Sequence, residues 1–437
     1  MDVILIVLVI MLNSMLSLML SIFLRREQHQ IALENNVKPW FFKNAQYPKS
    51  KALHKELKGE GAFRPNSKLF PFQDPHSDRI VNQLMYVPPD YEEIRGSGTL
   101  KTILLANSSE SLQVQEAGRV VFLLSNCPVD TCAITLLDNY TDIADMILYD
   151  DYIPPRINGP SNSRQVTMIY LLENAFTVYF KEPLSVNWTA TYRRDSDIVT
   201  PYGKWQYYDE RVKQIQQDRN YASNKTKSVA WFVSNCFANN HRLEYAEALS
   251  KHIEVDIYGD CGPYSCPRET EEACFQMLER DYKFYLAFEN GDCKDYVTEK
   301  FFVNALNHNI LPIAMGARPE DYAAIAPMNS YIHVDQFASP KELANYLHIL
   351  DKNDSLYNTY FNWKGTGEFI NTYFWCRVCA LLHDEDALRN PRWYTNFSDW
   401  WKGSVELLFS QLIEISARYD SPGGGNKTEE HVKNITD

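Results

Sequence analysis

Residues 282–316, YKFYLAFENGDCKDYVTEKFFVNALNHNILPIAMG, change pattern in a way that few architectures accommodate. The run 282–289 is rich in aromatic and aliphatic side chains and reads as a β-strand. Residues 290–294 are polar. Val297, Phe301, Phe302, Ala305 and Leu306 then recur at helical spacing, with Asp295 placed to cap the helix start. Residues 310–315 are apolar and closed by Gly316, the pattern of a buried parallel strand. A strand, a polar loop, a helix and a second buried strand imply a parallel α/β sheet. Tyr296, Thr298, Glu299 and Lys300 crowd the first helical turn, where free N–H groups and the dipole favour an anion and Lys300 adds a full positive charge.

The rest of the chain bounds where such a unit works. At 437 residues, 45% of them hydrophobic, it has length for two domains of ordinary size. A net charge of −13 argues against nucleic acid or an acidic membrane surface as partner, so a phosphate site must be built locally. The 9 cysteines are Cys127, Cys132, Cys236, Cys261, Cys266, Cys274, Cys293, Cys376 and Cys379, and this odd number leaves at least one thiol free or paired between chains. N-x-S/T sequons stand at Asn107, Asn139, Asn187, Asn224, Asn353, Asn396, Asn426 and Asn434. Together they indicate a chain facing an oxidising secretory lumen. Residues 3–24 are apolar except for Asn13, Ser14, Ser17 and Ser21, which is enough to span a bilayer, since about 20 helical residues are needed. No A-x-A-like cleavage site follows, so the segment reads as a signal anchor. Asp2 before it and Arg25 and Arg26 after it would by charge alone leave the main chain in the cytoplasm. The sequons and cysteines point to the lumen, and long domains translocate largely regardless of a few charges.

Residues 25–77 are polar without a sustained period and read as a stem. A first α/β domain, 78–225, carries apolar runs at 102–105, 120–124, 133–137, 146–148 and 166–172 that suit a parallel sheet. Glu173 follows the last of them, at a strand's carboxyl end, where open α/β sheets place ligands. A second domain, 226–365, opens with a strand at 229–233, a helix marked by Leu243, Ala246 and Leu249, and a strand at 255–258. It is Rossmann-like without G-x-G-x-x-G; its first turn is Ser234-Asn235-Cys236, with Arg242 at the helix start. A strand at 331–334 and a helix at 340–350 capped by Ser339 follow. Residues 366–415 have a helical pattern, and 416–437 read as a disordered tail.

The segments FYLAFEN and DYVTEKFFVNAL resemble the signature of the α-1,3-fucosyltransferases that use GDP-fucose, and the resemblance spans roughly residues 78–402. It implies a GT-B architecture, two Rossmann-like domains facing a cleft, and a single-pass type II enzyme of the Golgi membrane with a lumenal catalytic domain. It implies an inverting transfer of fucose to GlcNAc, on the innermost residue of N-glycans. The same chemistry on outer-chain LacNAc or LacdiNAc is the alternative, and a non-catalytic lectin-like glycoprotein a more distant one. Glu173, in MIYLLENAF, takes the place of the family's catalytic glutamate, although Asn174-Ala175 replace the Ser-Pro of the family motif. Without the resemblance it would read as a solvent-facing glutamate at a strand end. Arg242, Tyr296, Glu299 and Lys300 match donor-binding positions, with Asn290, Ser234, Asn235 and Tyr202 behind them. Arg supplies a planar fork and Lys a point charge for a diphosphate.

Two further motifs have bland readings. Asp195-Ser196-Asp197 has the D-x-D form that holds Mn²⁺ in metal-dependent transferases of another fold. The surrounding YRRDSDI matches the fucosyltransferases instead, so structural or cleft-lining roles are expected, and no cofactor beyond the donor is required. Cys376-Arg377-Val378-Cys379 could be a redox pair, half of a zinc site or a local disulfide. It lacks a thioredoxin-like context and a matching second C-x-x-C, which leaves a structural disulfide. Cys261, Cys266 and Cys274 are expected to contribute further bridges with open connectivity.

Overall fold

The computed structural model describes residues 39–43, 68–106, 112, 116–150, 164–178 and 184–403. The apolar run 3–24, most of the stem, the tail, Asn107, Asn426 and Asn434 lie outside them. Among the described residues no helix is long and apolar enough to cross a membrane.

Two parallel sheets follow one another along the chain. The first holds β1 (Lys101–Leu105), β2 (Cys132–Thr135), β3 (Met146–Asp150), β4 (Val166–Leu171), β5 (Trp188–Thr191) and β6 (Ile198–Val199) in the order β2-β1-β3-β4-β5-β6. Every neighbouring pair in it is parallel. The short ribbon strand β7 (Trp205–Tyr207) leads to the second sheet: β8 (Lys227–Phe232), β9 (Val255–Tyr258), β10 (Tyr282–Phe288), β11 (Leu311–Met315) and β12 (Ile332–His333), in the order β12-β11-β10-β8-β9. All of β10 is buried, and successive residues serve opposite faces. Phe284, Leu286 and Phe288 pack with Val229, Trp231 and the helices Arg242–Ser250 and Pro340–Asp351, whereas Tyr285 and Ala287 pack with Phe301, Phe302 and Leu278. The chain leaves β8 for β9 on one side and then crosses from β9 to β10 on the other side of β8. This reversal opens a crevice beyond the strands' carboxyl ends, the place where open sheets take ligands. Ser339 caps its helix as expected, accepting from the Glu342 N–H.

Three expectations are corrected. The run 120–124 is a short helix, Val120–Leu124, not a strand; it buries Phe122 and leaves Leu123 and Leu124 half or more exposed. A five-residue apolar run has no period long enough to separate helix from strand. Asp295 does not cap the helix after β10. It adopts φ +59°, and its carboxylate accepts from the Arg194 main-chain N–H and side chain, so the helix starts one turn later, at Glu299 with Thr298 before it. The sequon residue Asn187 is fully buried. Its side chain accepts from Thr167 and donates to the Arg392 carbonyl, which leaves no room for a glycan. Asn139, Asn224 and Asn353 are exposed and Asn396 is partly exposed.

The cysteines also pair differently. Cys376 and Cys379 lie on one helix, Phe374–Leu382, and do not bond each other. Residues three apart on a helix hold their Cβ atoms about 5–6 Å apart, farther than the ~3.8 Å a disulfide prefers. Cys376 bridges to Cys127 and Cys379 to Cys132, fastening this late helix to the first sheet. Cys261 bridges to Cys236 and Cys266 to Cys274, and Cys293 is a buried free thiol. To make this return the chain passes through β13 (Gly367–Phe369), which pairs antiparallel with β7.

Candidate active site

The carboxyl ends of β4 and β10 meet. Glu173 follows β4, and its exposed carboxylate accepts from the Asn174 main-chain N–H at 2.7 Å and from the Tyr296 hydroxyl at 3.3 Å. Tyr296 belongs to the segment after β10, so one hydrogen bond crosses from one sheet's loops to the other's. Tyr202 donates to the Leu172 carbonyl at 2.8 Å, beside the same glutamate. Burial, then the neighbouring carboxylates, push the hydroxyls of Tyr202 and Tyr296 well above the usual tyrosine range, so both remain protonated donors.

On the other side, β10 is followed directly by Glu289, a fully buried carboxylate that the sequence had not singled out. One oxygen accepts from the Thr298 N–H and the other from the Thr298 hydroxyl, each at 2.7 Å. The fold thus places its own anion at the helix start expected to hold a ligand's. Lys300 lies 3.4 Å from Glu289 and 3.0 Å from Glu299, and also donates to the Thr298 hydroxyl. Burial pushes Glu289 up, only partly offset by Lys300 and Thr298. Burial works against the charged form of Lys300, yet Glu289 and Glu299 outweigh it and hold the ammonium charged. Burial likewise pushes Glu299 up, but Lys300 and local hydrogen bonds outweigh it and leave the acid below its usual range. The site therefore holds a guaranteed cation, an exposed carboxylate at Glu299 and a buried one beneath.

Arg242 sits against this wall. Its Nη1 donates to the Phe288 carbonyl at 2.8 Å and its Nη2 to the Asn235 carbonyl at 2.9 Å, while Nε has no partner. In this arrangement its fork braces the Ser234-Asn235 turn against β10. Ser234 and Asn235 are exposed at the crevice mouth, and the buried amide oxygen of Asn290 is unpartnered. Asn240 donates to the Glu289 carbonyl and to Asp292, closing the floor. Only Glu289's position, an acid closing the apolar run 284–288, could have flagged it in the sequence. Thr298 stood out only as part of the crowded helix start, and Asn240 gave no signal.

The two acids of the D-x-D triplet are held apart by different partners. Asp195 pairs with Arg193 at 2.7 Å and Lys294 at 3.0 Å, which override its burial and hold it at about 2. Asp197 is buried and accepts from the Thr189 N–H and hydroxyl. Both carboxylates are structural in this arrangement. Cys132, Cys379 and His383 also cluster, but the two sulfurs are already bonded to each other.

Residues 222–400 match the family model for the C-terminal part of glycosyltransferase family 10 (fucosyltransferase), and residues 98–203 match the fucosyltransferase N-terminal model. The chain is 62% identical to glycoprotein 3-alpha-L-fucosyltransferase A of Drosophila melanogaster, over 88% of its own length and 76% of that protein's. It belongs to glycosyltransferase family 10, the fucosyltransferases. More distant members include alpha-(1,3)-fucosyltransferase C of Drosophila melanogaster, 37% identical over 51% of this chain and 55% of that one. A crystal structure of an α1,3-fucosyltransferase with GDP-fucose aligns over 67% of this chain and 91% of its own, at 18% identity and a TM-score of 0.43. The two family-10 segments carry the two sheets, and the crevice where their loops meet is the candidate active site of this transferase.

Proposed function

We propose that this chain transfers L-fucose from GDP-fucose in α-1,3 linkage onto GlcNAc, with the innermost GlcNAc of glycoprotein N-glycans as acceptor. The observation that carries the reading is Glu173, exposed at the end of β4 and tied through Tyr296 to the wall that holds Lys300 and Glu299. The 62% identity to a glycoprotein 3-alpha-L-fucosyltransferase supports the linkage and the glycoprotein acceptor. The two sheets facing a shared crevice are the GT-B arrangement in this reading.

The chemistry is one displacement. The acceptor 3-hydroxyl gives its proton to Glu173 as its oxygen attacks the fucose anomeric carbon. The bond from that carbon to the β-phosphate oxygen breaks on the opposite face, so configuration inverts. A positioned base contributes about 10²–10⁴-fold to such a step. The diphosphate leaves with its charge met by Lys300 and by the field of Arg242, preorganised donors in a partly dry site. Glu299 accepts from donor hydroxyls; Asn290, Ser234, Asn235 and Tyr202 line the donor's bed. No metal is invoked, because the protein's own cations face the leaving group.

The anchor at 3–24 and a lumenal, Golgi placement complete the reading. The four bridges among the described residues support an oxidising compartment. Labelled GDP-fucose with either an N-glycopeptide bearing exposed core GlcNAc or free LacNAc tests the acceptor, with Glu173→Gln in parallel. Label on the glycopeptide, lost in E173Q, is expected. Label on LacNAc alone replaces the acceptor and keeps the enzyme. No transfer to either by folded, GDP-binding protein points to a binding protein.

A further inference from the structure

Where the family motif has serine, this chain has Asn174, and its surroundings give the residue specific work. The side chain is 2% exposed. Its Nδ2 donates to the Asn290 carbonyl at 3.1 Å, across the crevice floor. Its Oδ1 accepts from the Phe176 N–H at 2.8 Å and from the Cys293 thiol at 3.1 Å. Its main-chain N–H holds the Glu173 carboxylate, and its carbonyl accepts from the Thr177 N–H and hydroxyl. One amide is thereby bonded to the loop that carries Glu173 and, at two points, to the loop after β10.

Two observations show that the surroundings are shaped to this amide. A Cβ at Gly291 would lie 2.0 Å from Asn174 Nδ2 and 2.9 Å from its Oδ1, so a glycine here leaves the amide side chain room to lie against this stretch of main chain. The thiol of Cys293 is the free sulfur among the described residues, it is buried, and burial pushes it up to about 12. It therefore stays a neutral donor and can satisfy the second lone pair of Oδ1.

We propose that Asn174, seated on Gly291 and Cys293, is a positioning residue that registers Glu173 against the donor-binding wall. The inference rests on Glu173 being the base. Without the amide, the loop after β4 keeps its fold through β4 and Thr177 but loses the two ties that Asn174 makes to the loop after β10, leaving the 3.3 Å bond from Tyr296 to hold Glu173 across the crevice. Glu173 then points less reproducibly at the acceptor hydroxyl, while Lys300, Glu299 and Arg242, proposed to hold the donor, make no bond to the amide and keep their own partners.

The experiment is steady-state kinetics and GDP calorimetry on the full-length protein carrying Asn174→Ala, Asn174→Ser, Gly291→Ala, the double change N174A/G291A, and Glu173→Gln. A misplacement of this kind costs kcat about 10–100-fold, with KM for GDP-fucose and the affinity for GDP moving by less than about threefold. G291A falls in the same way because its methyl displaces the amide. The double variant is no worse than G291A, because N174A removes the atom the methyl strikes, a non-additivity that contacting residues show. Melting temperatures identify any variant that fails to fold; N174S, smaller but still polar, then stands in for N174A. Wild-type kcat in N174A and N174S overturns the latch and leaves Glu173 as the base. Parallel losses of kcat and GDP affinity, or simple additivity in the double variant, overturn it in favour of a general packing role. Wild-type kcat in E173Q removes the base itself, and this inference with it.

Discussion

At the level of single residues, the site's electrostatics turn on Lys300 and the buried Glu289. A buried carboxylate stripped of its counter-ion is costly, of the order of 3–5 kcal/mol. Lys300→Ala is therefore expected to lower both the affinity for GDP-fucose and the melting temperature. Adding Glu289→Gln to that variant removes the orphaned charge, so it should recover much of the melting temperature but none of the affinity. Calorimetry and thermal melts separate the two effects, and GDP binding unchanged in K300A would remove Lys300 from the site. The sequence made Lys300 and Glu299 legible because they crowd a helix start. Glu173 became legible through its motif, since a glutamate at a strand end is otherwise ordinary. Glu289 was not legible: its meaning comes from complete burial against Thr298 and Lys300, and burial is a property of the assembled fold.

At the level of elements, strands in the second sheet were readable because a strand buried on both faces is a nearly unbroken apolar run. The run 120–124 was equally apolar and became a helix, since what decides a run this short is the slot the rest of the fold leaves for it. Disulfide partners were hidden for a related reason. Cys376 and Cys379 are near each other in sequence, but their partners are 249 and 247 residues away, brought near only when the late helix returns. Peptide mapping without reduction is expected to find Cys132 linked to Cys379. Replacing both by serine should cost about 2–5 kcal/mol, read from denaturant melts, with GDP affinity kept, because the donor wall lies on the other sheet. A 376–379 bridge in the map would refute this arrangement.

At the level of the whole molecule, the lumenal side proposed for the large domain rests on the sequons, the bridges and the apolar run 3–24. In sealed microsomes the large domain should survive added protease and be cut once detergent is present; cutting without detergent would put the chain on the cytoplasmic side. The order of the chain has a mechanical consequence of its own. It leaves the first sheet through β7 and comes back through β13, and those two strands are hydrogen-bonded side by side, Trp205 opposite Phe369 and Tyr207 opposite Gly367. The second sheet thus hangs from a strap of two bonded strands, not from a single thread. The rings of Trp205 and Phe369 also pack on each other and on Trp363 and Phe302, so the outgoing and returning passages of the chain are seated together in the second sheet's aromatic core and neither can shift without the other.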